Sequence, residues 1–356
     1  MLRPLTIEEW IKEGNVPIID VRSPAEHKHG HIPDAHTLPL FNDEERAKIG
    51  TLYKQVGKSE AILSGLDIVG PKMSAIIKQA NELATNPKDA GHKTVRVHCW
   101  RGGMRSNSVA WLLNTAGFEK VFTLIGGYKA YRNWVLKTFE ITYPLLILGG
   151  KTGSAKTEIL NELANRKEPV IDLERLAHHK GSAFGWIGEQ PQPSQEQFEN
   201  NLAQDLYRLD PSDIWLEDES ERIGLVRIPH PLFEQIRKAP VYFIDIPKQV
   251  RIQHLVKTYS HFGDEKLELS ILRISKRLGG LNTKLALEAL TKKEYDRVAD
   301  ITLNYYDKYY EGGVARRLPS SVIRITSDTI DPVSNADLIL HHKSKSIHGI
   351  HKTHSV

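Results

Sequence analysis

Twice in this chain an apolar run ends in a glycine-rich, cation-bearing loop that opens straight into a helix-forming stretch. The first is TVRVHCWRGGMRSNS at 94–108 and the second LLILGGKTGSAKTEI at 145–159. A strand feeding a helix through such a loop is the repeating unit of a parallel α/β sheet, and the backbone N–H groups gathered at the helix start form a cradle for an anion. Other apolar runs fit the same scheme: NVPIIDVRS and VFTLIGG around the first loop, and EPVIDL, DIWLED, PVYFIDIP and SVIRITSD after the second. The pattern restarts near 138–144. The expectation is therefore α/β throughout, with a parallel-sheet domain over 1–138 and a second α/β domain over 139–340. The second carries a charged helical insertion at about 249–311. Residues 341–356, polar and rich in His and Lys, read as a flexible tail.

Composition narrows the class. With 356 residues, 40% hydrophobic and 26% charged, the chain is neither disordered nor fibrous, and it has room for two cores. Its net charge is +4, and the whole excess falls within residues 1–140. That mild excess favours an anionic partner without forming the dense basic stripe of a dedicated nucleic-acid module. No apolar run approaches the roughly 20 residues of a membrane span. The opening MLRPLTIEEWIKEGN lacks the basic flank and apolar stretch of a signal peptide, and one cysteine, Cys99, makes no internal disulfide. A soluble cytoplasmic protein is expected.

In the first loop, Gly102 and Gly103 permit the tight curl, while Arg101 and Arg105 flank the thiol of Cys99. Such settings lower a thiol pKa from about 8.5 to roughly 3.5–7.5, giving a thiolate beneath an anion cradle. Cys99, Arg101 and Arg105 are the catalytic candidates, with Trp100, Gly102, Gly103, Met104 and Ser106 forming the cradle. A buried structural cysteine is the plain alternative. The pattern His98-Cys99-x-x-Gly102-x-x-Arg105-Ser106 also matches a Cys-dependent phosphatase signature. Upstream, however, Asp20-Val21-Arg22, Glu26 and Gly30-His31-Ile32-Pro33-Asp34-Ala35 resemble the rhodanese family, in which a cysteine carries sulfur. With no second cysteine, anything carried on Cys99 passes to an external acceptor.

In the second loop, Gly150, Thr152, Gly153, Ser154, Ala155 and Thr157 are placed to wrap a diphosphate, and Lys156 to reach its oxygens. Ala155 stands where the P-loop pattern has Gly, and phosphate binding is expected to survive the change if the backbone there is helical or extended. Asp172, Asp218 and Asp245, near strand ends, are the acidic candidates for a Mg²⁺ ion or a water, and each is equally readable as a cap.

A rhodanese-like domain followed by a P-loop domain resembles the bacterial tRNA 2-selenouridine synthases. The resemblance rests on Cys99–Ser106, Thr152–Ser154 with Lys156-Thr157, Leu176–Gly185, Glu217–Ser220 with Arg222–Gly224, Arg273–Leu281 and Tyr306–Tyr309, in family order. It implies replacement of the sulfur of wobble 2-thiouridine in tRNA by selenium. Geranyl diphosphate first alkylates that sulfur, then selenophosphate supplies selenium; no tightly bound cofactor is implied, and a need for Mg²⁺ is left open. It further implies a role for Gly65 in substrate approach. Asp20 and Arg22 are readable either as support for the substrate or as internal ion partners of the rhodanese-like fold. Glu217, Asp218, Ser220 and Arg222, a polar cluster after a strand, are readable either as catalytic support or as an exposed salt-bridge network. Phe184, in the small-residue segment GSAFG, and the following Trp186 are candidates for contact with the geranyl chain, with core packing as the alternative.

For the RNA, Arg273, Lys276 and Arg277 share one helix face, and Tyr305, Tyr306, Tyr309 and Tyr310 offer stacking surfaces. Arg273, Lys276, Arg277, Tyr306 and Tyr309 are the tRNA-binding candidates, with ordinary helix packing as the alternative for the tyrosines. The competing function is a rhodanese-type sulfurtransferase or a phosphatase fused to a nucleotide-binding domain.

Overall fold

The computed structural model describes residues 1–84, 93–209 and 212–352. The chain divides into two units, Met1–Thr138 with Glu199–Gln204, and Phe139–Phe198 with Asp205–Val356.

The first unit contains β1 (Leu2–Leu5), α1 (Ile7–Lys12), β2 (Ile18–Asp20), α2 (Pro24–His29), β3 (Ala35–Thr37), α3 (Asp43–Gln55), α4 (Lys58–Val69), α5 (Met73–Ala84), β4 (Thr94–His98), α6 (Met104–Thr115), β5 (Lys120–Leu124) and α7 (Gly127–Thr138). The strands form a parallel sheet in the order β1-β5-β4-β2-β3. The central β4, TVRVH, alternates polar and apolar residues, yet both of its faces are buried, so its polar side chains Arg96 and His98 lie inside the fold. Reciprocal caps at Thr6–Glu9, Ser23–Glu26 and Asn42–Glu45 start α1, α2 and α3. Arg96, pointing out of β4 yet buried, donates to the carbonyls of Trp10, Gly14 and Val16 and so satisfies a loop that has no ladder of its own. The helix expected from about Ser106 begins two residues earlier, at Met104.

The second unit contains β6 (Leu145–Gly150), α8 (Lys156–Asn165), α9 (Leu173–Ala177), α10 (Gln195–Arg208), β7 (Ile214–Glu217), β8 (Arg222–Ile223), β9 (Val226–Arg227), α11 (His230–Lys238), β10 (Val241–Asp245), α12 (Lys248–Tyr259), α13 (Asp264–Leu278), α14 (Gly280–Thr291), α15 (Tyr295–Val314), β11 (Val322–Thr326) and α16 (Pro332–Lys352). Its parallel sheet has the order β11-β10-β6-β7, and β8 and β9 pair as a short antiparallel ribbon. Between β10 and β11 the chain forms the helices α12 to α15. Ile271, Ile274, Leu278, Ala286, Leu290 and Val298 pack together as their core. The α/β class expected from the alternating runs is the class found in both units.

Two local expectations are corrected. EPVIDL forms no strand: Val170 alone bridges to Trp215, and Asp172 turns the chain by accepting the Arg175 N–H at 2.7 Å to cap α9. The segment expected as a tail continues α16 to Lys352, where Lys343 ties it to Glu168 at 2.7 Å and Asp213 at 3.3 Å. Residues 353–356 lie outside the described residues. No helix among the described residues is long and apolar enough to cross a membrane.

Candidate active-site loops

Cys99 leaves β4 at the mouth of its loop and is buried. Gly102 adopts φ +63°, and a Cβ there would lie 2.3 Å from the Leu124 carbonyl oxygen. Gly127, at φ +60°, leaves equally little room beside the Cys99 carbonyl, so the loop is clamped against the start of α7. Tyr128 and Lys129 complete the clamp by donating their N–H groups to the Cys99 and Trp100 carbonyls at 2.8 and 3.0 Å.

Burial pushes the Cys99 thiol up, but the Ser106 hydroxyl, 3.3 Å away, and the backbone N–H groups of Ser106, Gly103 and Arg101 outweigh it. The net shift is below the ordinary thiol value. This is a nest of donors around one sulfur.

Of the flanking cations, Arg101 is exposed and makes no ion pair among the described residues. Arg105 is already engaged, donating to both carboxylate oxygens of Glu26 at 2.6 and 3.2 Å. Trp100 is half-buried against Tyr128, Gly103 precedes α6, and Met104 is exposed.

Asp20 and Arg22 form a fully buried pair at 2.6 Å. Arg22 also donates to the Gly30 carbonyl and lies 3.8 Å from the Tyr128 ring centre. Both act below the loop, away from solvent. Burial lowers the neighbouring His98 to a pKa of about 4, so it is neutral there. Gly65 is buried in α4 against Phe41, which shares a core with Cys99.

The second loop joins β6 to α8. Ala155 adopts φ 55° and ψ 36°, a left-handed conformation, which is neither the helical nor the extended backbone considered for it. The reason is geometric. The loop demands a positive φ where the P-loop pattern has Gly, and Ala meets the demand at a cost of about 1–2 kcal/mol. Gly153, at φ +83°, packs against Leu255 and Arg251.

Arg251, held by Asp307 at 2.8 and 2.9 Å, donates to the Thr152 carbonyl at 3.0 Å. Ser154 turns back to the Lys151 carbonyl, and Lys151 pairs with Asp245 and Glu311. Lys156 reaches the Gly150 carbonyl at 3.2 Å. Thr157 donates to Glu174 at 3.0 Å.

Beneath this loop lies a cavity of about 300 Å³. The phosphate loop forms one end. The walls are mostly apolar, from Phe184 in the GSAFG segment, Leu255 and Tyr259 of α12, and Val298, Leu303 and Tyr306 of α15, with Asn161, Lys180, His254 and Ser260 among the polar residues on them. A second, wider recess of about 1430 Å³ shares Ser182, Tyr306 and Tyr310 with the first. It is lined by Arg222, Arg237, Arg273, Lys276, Arg277 and Arg316, with Tyr305 and Tyr309 among them. The Arg273 guanidinium stacks 4.7 Å from the Trp186 ring centre, and Arg277 bonds the Tyr305 hydroxyl. Tyr306 is mostly buried and accepts the Ala183 N–H at 3.0 Å, whereas Tyr309 is half exposed. The structure thus gathers all five tRNA candidates at one recess.

Asp218 and Ser220 also line this recess, beside Glu219 and Glu221, but their polar groups are already engaged. Asp218 pairs with Arg317 at 2.5 Å, and Ser220 bonds the Arg222 carbonyl. Arg222 itself donates to the Gly224 carbonyl. Glu174, Glu217 and Glu219 were not singled out as a unit by sequence. They converge behind Lys156 and Thr157, because Glu174 is carried there on α9 just after the Asp172 cap, while Glu217 and Glu219 lie at and just after the end of β7. Burial, then mutual repulsion with Glu174, raises Glu219 to about 8, and the same causes push Glu217 well above the carboxylate range. Among the described residues, no group of three or more His, Cys, Asp or Glu side chains is set to hold a metal ion.

Comparison with known proteins matches both units of the chain. A rhodanese-like domain model matches residues 4–133, and the tRNA 2-selenouridine synthase AAA domain model matches residues 143–336. A tRNA 2-selenouridine synthase from Bdellovibrio bacteriovorus is 36% identical, covering 85% of this chain and 90% of that protein. One from Sulfurovum sp. is 34% identical, covering 89% and 94%, and one from Serratia proteamaculans is 39% identical, covering 69% and 64%. With both of its domains matched and 85–89% of its length shared with the Bdellovibrio and Sulfurovum relatives, the chain belongs to the tRNA 2-selenouridine synthase family.

Proposed function

We propose that this protein replaces the sulfur of wobble 2-thiouridine in tRNA by selenium, in two steps served by the two loops. The observation that carries the reading is the apolar cavity ending in a phosphate loop. A nucleotide needs polar partners around its base and ribose, whereas most of this cavity's wall is hydrocarbon, which suits geranyl diphosphate. The loop amides and Lys156 would hold the diphosphate and stabilise the charge it gathers as the C1–O bond breaks. The thiouridine sulfur bonds to C1, diphosphate departs with the electron pair, and the nucleobase loses its N3 proton. The recess of arginines and tyrosines beside the cavity is the entry for the RNA, its cations for phosphates and Tyr309 for a base.

In the second step the Cys99 nest takes the phosphoryl group of selenophosphate, with Arg101 free to bind its oxygens and Arg105 set by Glu26. Selenium bonds to C2 of the base, geranyl thiol leaves, and water removes the phosphoryl group. The S-alkyl group matters because a thione sulfur is a poor leaving group and a thiol is a good one. The single cysteine suits a reducing cytoplasm.

Thermal denaturation of the full chain tests the cavity assignment. Geranyl diphosphate should raise Tm more than inorganic diphosphate or ADP at equal concentration. An equal or larger shift with ADP would overturn the reading in favour of a nucleotide site.

A further inference from the structure

The cavity has a direction. Residues Tyr295, Val298, Ala299, Thr302, Tyr306 and Tyr310 of α15 line it at helical spacing, forming one continuous stripe. Tyr310 marks the phosphate end, because Lys156 Nζ lies 5.2 Å from its ring centre. Tyr295 marks the other end, where its hydroxyl donates to Asp264 at the start of α13 at 2.9 Å. At about 1.5 Å of rise per residue, the stripe from Tyr310 to Tyr295 spans roughly 22 Å.

We propose that this stripe is a ruler that sets the length of the prenyl chain. The inference rests on the reading that the phosphate loop holds a prenyl diphosphate. Each isoprene unit extends an all-trans chain by roughly 5 Å, or about three residues of helix rise. A chain whose first carbon lies beside Tyr306, next to the diphosphate, places its second isoprene unit near Thr302 and Ala299. The Thr302 hydroxyl is spent on the Val298 and Ala299 carbonyls, which leaves its methyl group to face hydrocarbon.

Ala299 is the small residue at this depth. Val298 and the anchored Tyr295 stand where a third unit would run. The volume argues the same way, since about 300 Å³ lies at the lower edge of small-ligand cavities, roughly 300–1,000 Å³. Ala299 thus makes room for the second unit, and Tyr295 and Val298 exclude a third.

The test is a competition among dimethylallyl, geranyl and farnesyl diphosphates for 2-thiouridine tRNA, read by mass spectrometry of the nucleosides. Wild type should transfer geranyl in preference to both. Ala299→Leu should move the preference toward dimethylallyl by tenfold or more. Val298→Ala and Tyr295→Ala should raise farnesyl transfer relative to geranyl by a similar factor. The two variants at the far end remove bulk, so they remain informative if the larger residue at 299 prevents folding. Unchanged product ratios in folded, active variants would overturn the ruler and leave the prenyl site standing. Absence of every prenyl product from wild type would overturn the site and the ruler together.

Discussion

The ammonium of Lys156 lies over the ring of Tyr310, 5.2 Å from its centre, and makes no ion pair among the described residues. An aromatic face steadies the cation without neutralising it, so its charge is available to an incoming phosphate. Glu174 and Glu219, the acidic groups behind it, are pushed toward their protonated forms by burial, so they compete weakly for that charge.

Replacing Lys156 by Ala should therefore slow geranylation of 2-thiouridine tRNA by roughly 10²–10³-fold, the usual cost of removing a donor aimed at developing charge. Single-turnover rates measure it. Selenation of tRNA that is already geranylated should proceed at the wild-type rate, which separates this effect from a folding defect.

The donors around Cys99 predict its pH response. They lower the thiol pKa, so the rate of alkylation by iodoacetamide should reach half its maximum below about pH 8.5, where an ordinary thiol does. Ser106→Ala removes a donor, favours the protonated form and should move that midpoint upward. Cys99→Ala should abolish selenation while geranylated tRNA accumulates.

Glu219 predicts the pH dependence of stability. Its folded pKa of about 8 lies above the unfolded value, so the folded state binds the proton more tightly. The stabilisation is complete below the unfolded pKa and is lost as pH rises toward 8. Tm should fall for wild type across that interval. Glu219→Gln, permanently neutral, should flatten the decline and be the more stable protein at pH 8.

Ala155 carries a strain that Gly would not. Substituting Gly relieves about 1–2 kcal/mol of left-handed strain and loses about 0.5–1 kcal/mol through added freedom of the unfolded chain. A rise in Tm of a few degrees is the expected balance. An unchanged or lower Tm would mean that the Ala155 methyl group, buried at the cavity wall, contributes packing of equal size.

The two loops were legible in sequence because each joins an apolar run to glycines and cations at short range. The class of fold followed from their repetition. What was not legible is set by long-range pairing. β1, only four residues, is a strand because β5 pairs with it, and helices α3 to α5 have no motif to announce them. EPVIDL has strand composition, yet Asp172 ends it with a cap, and that turn carries Glu174 to Thr157. Arg251 braces the phosphate loop from a helix about a hundred residues away, with no local pattern to mark it. The cavity and its direction belong to the packing of α12 and α15, which periodicity alone does not place.

The most direct measurement is mass spectrometry of nucleosides from 2-thiouridine tRNA incubated with the protein, geranyl diphosphate and selenophosphate, each omitted in turn. The account predicts a geranylated nucleoside when selenophosphate is left out and a selenated one when both are present. An unmodified nucleoside under all conditions, with both donors intact, would contradict it.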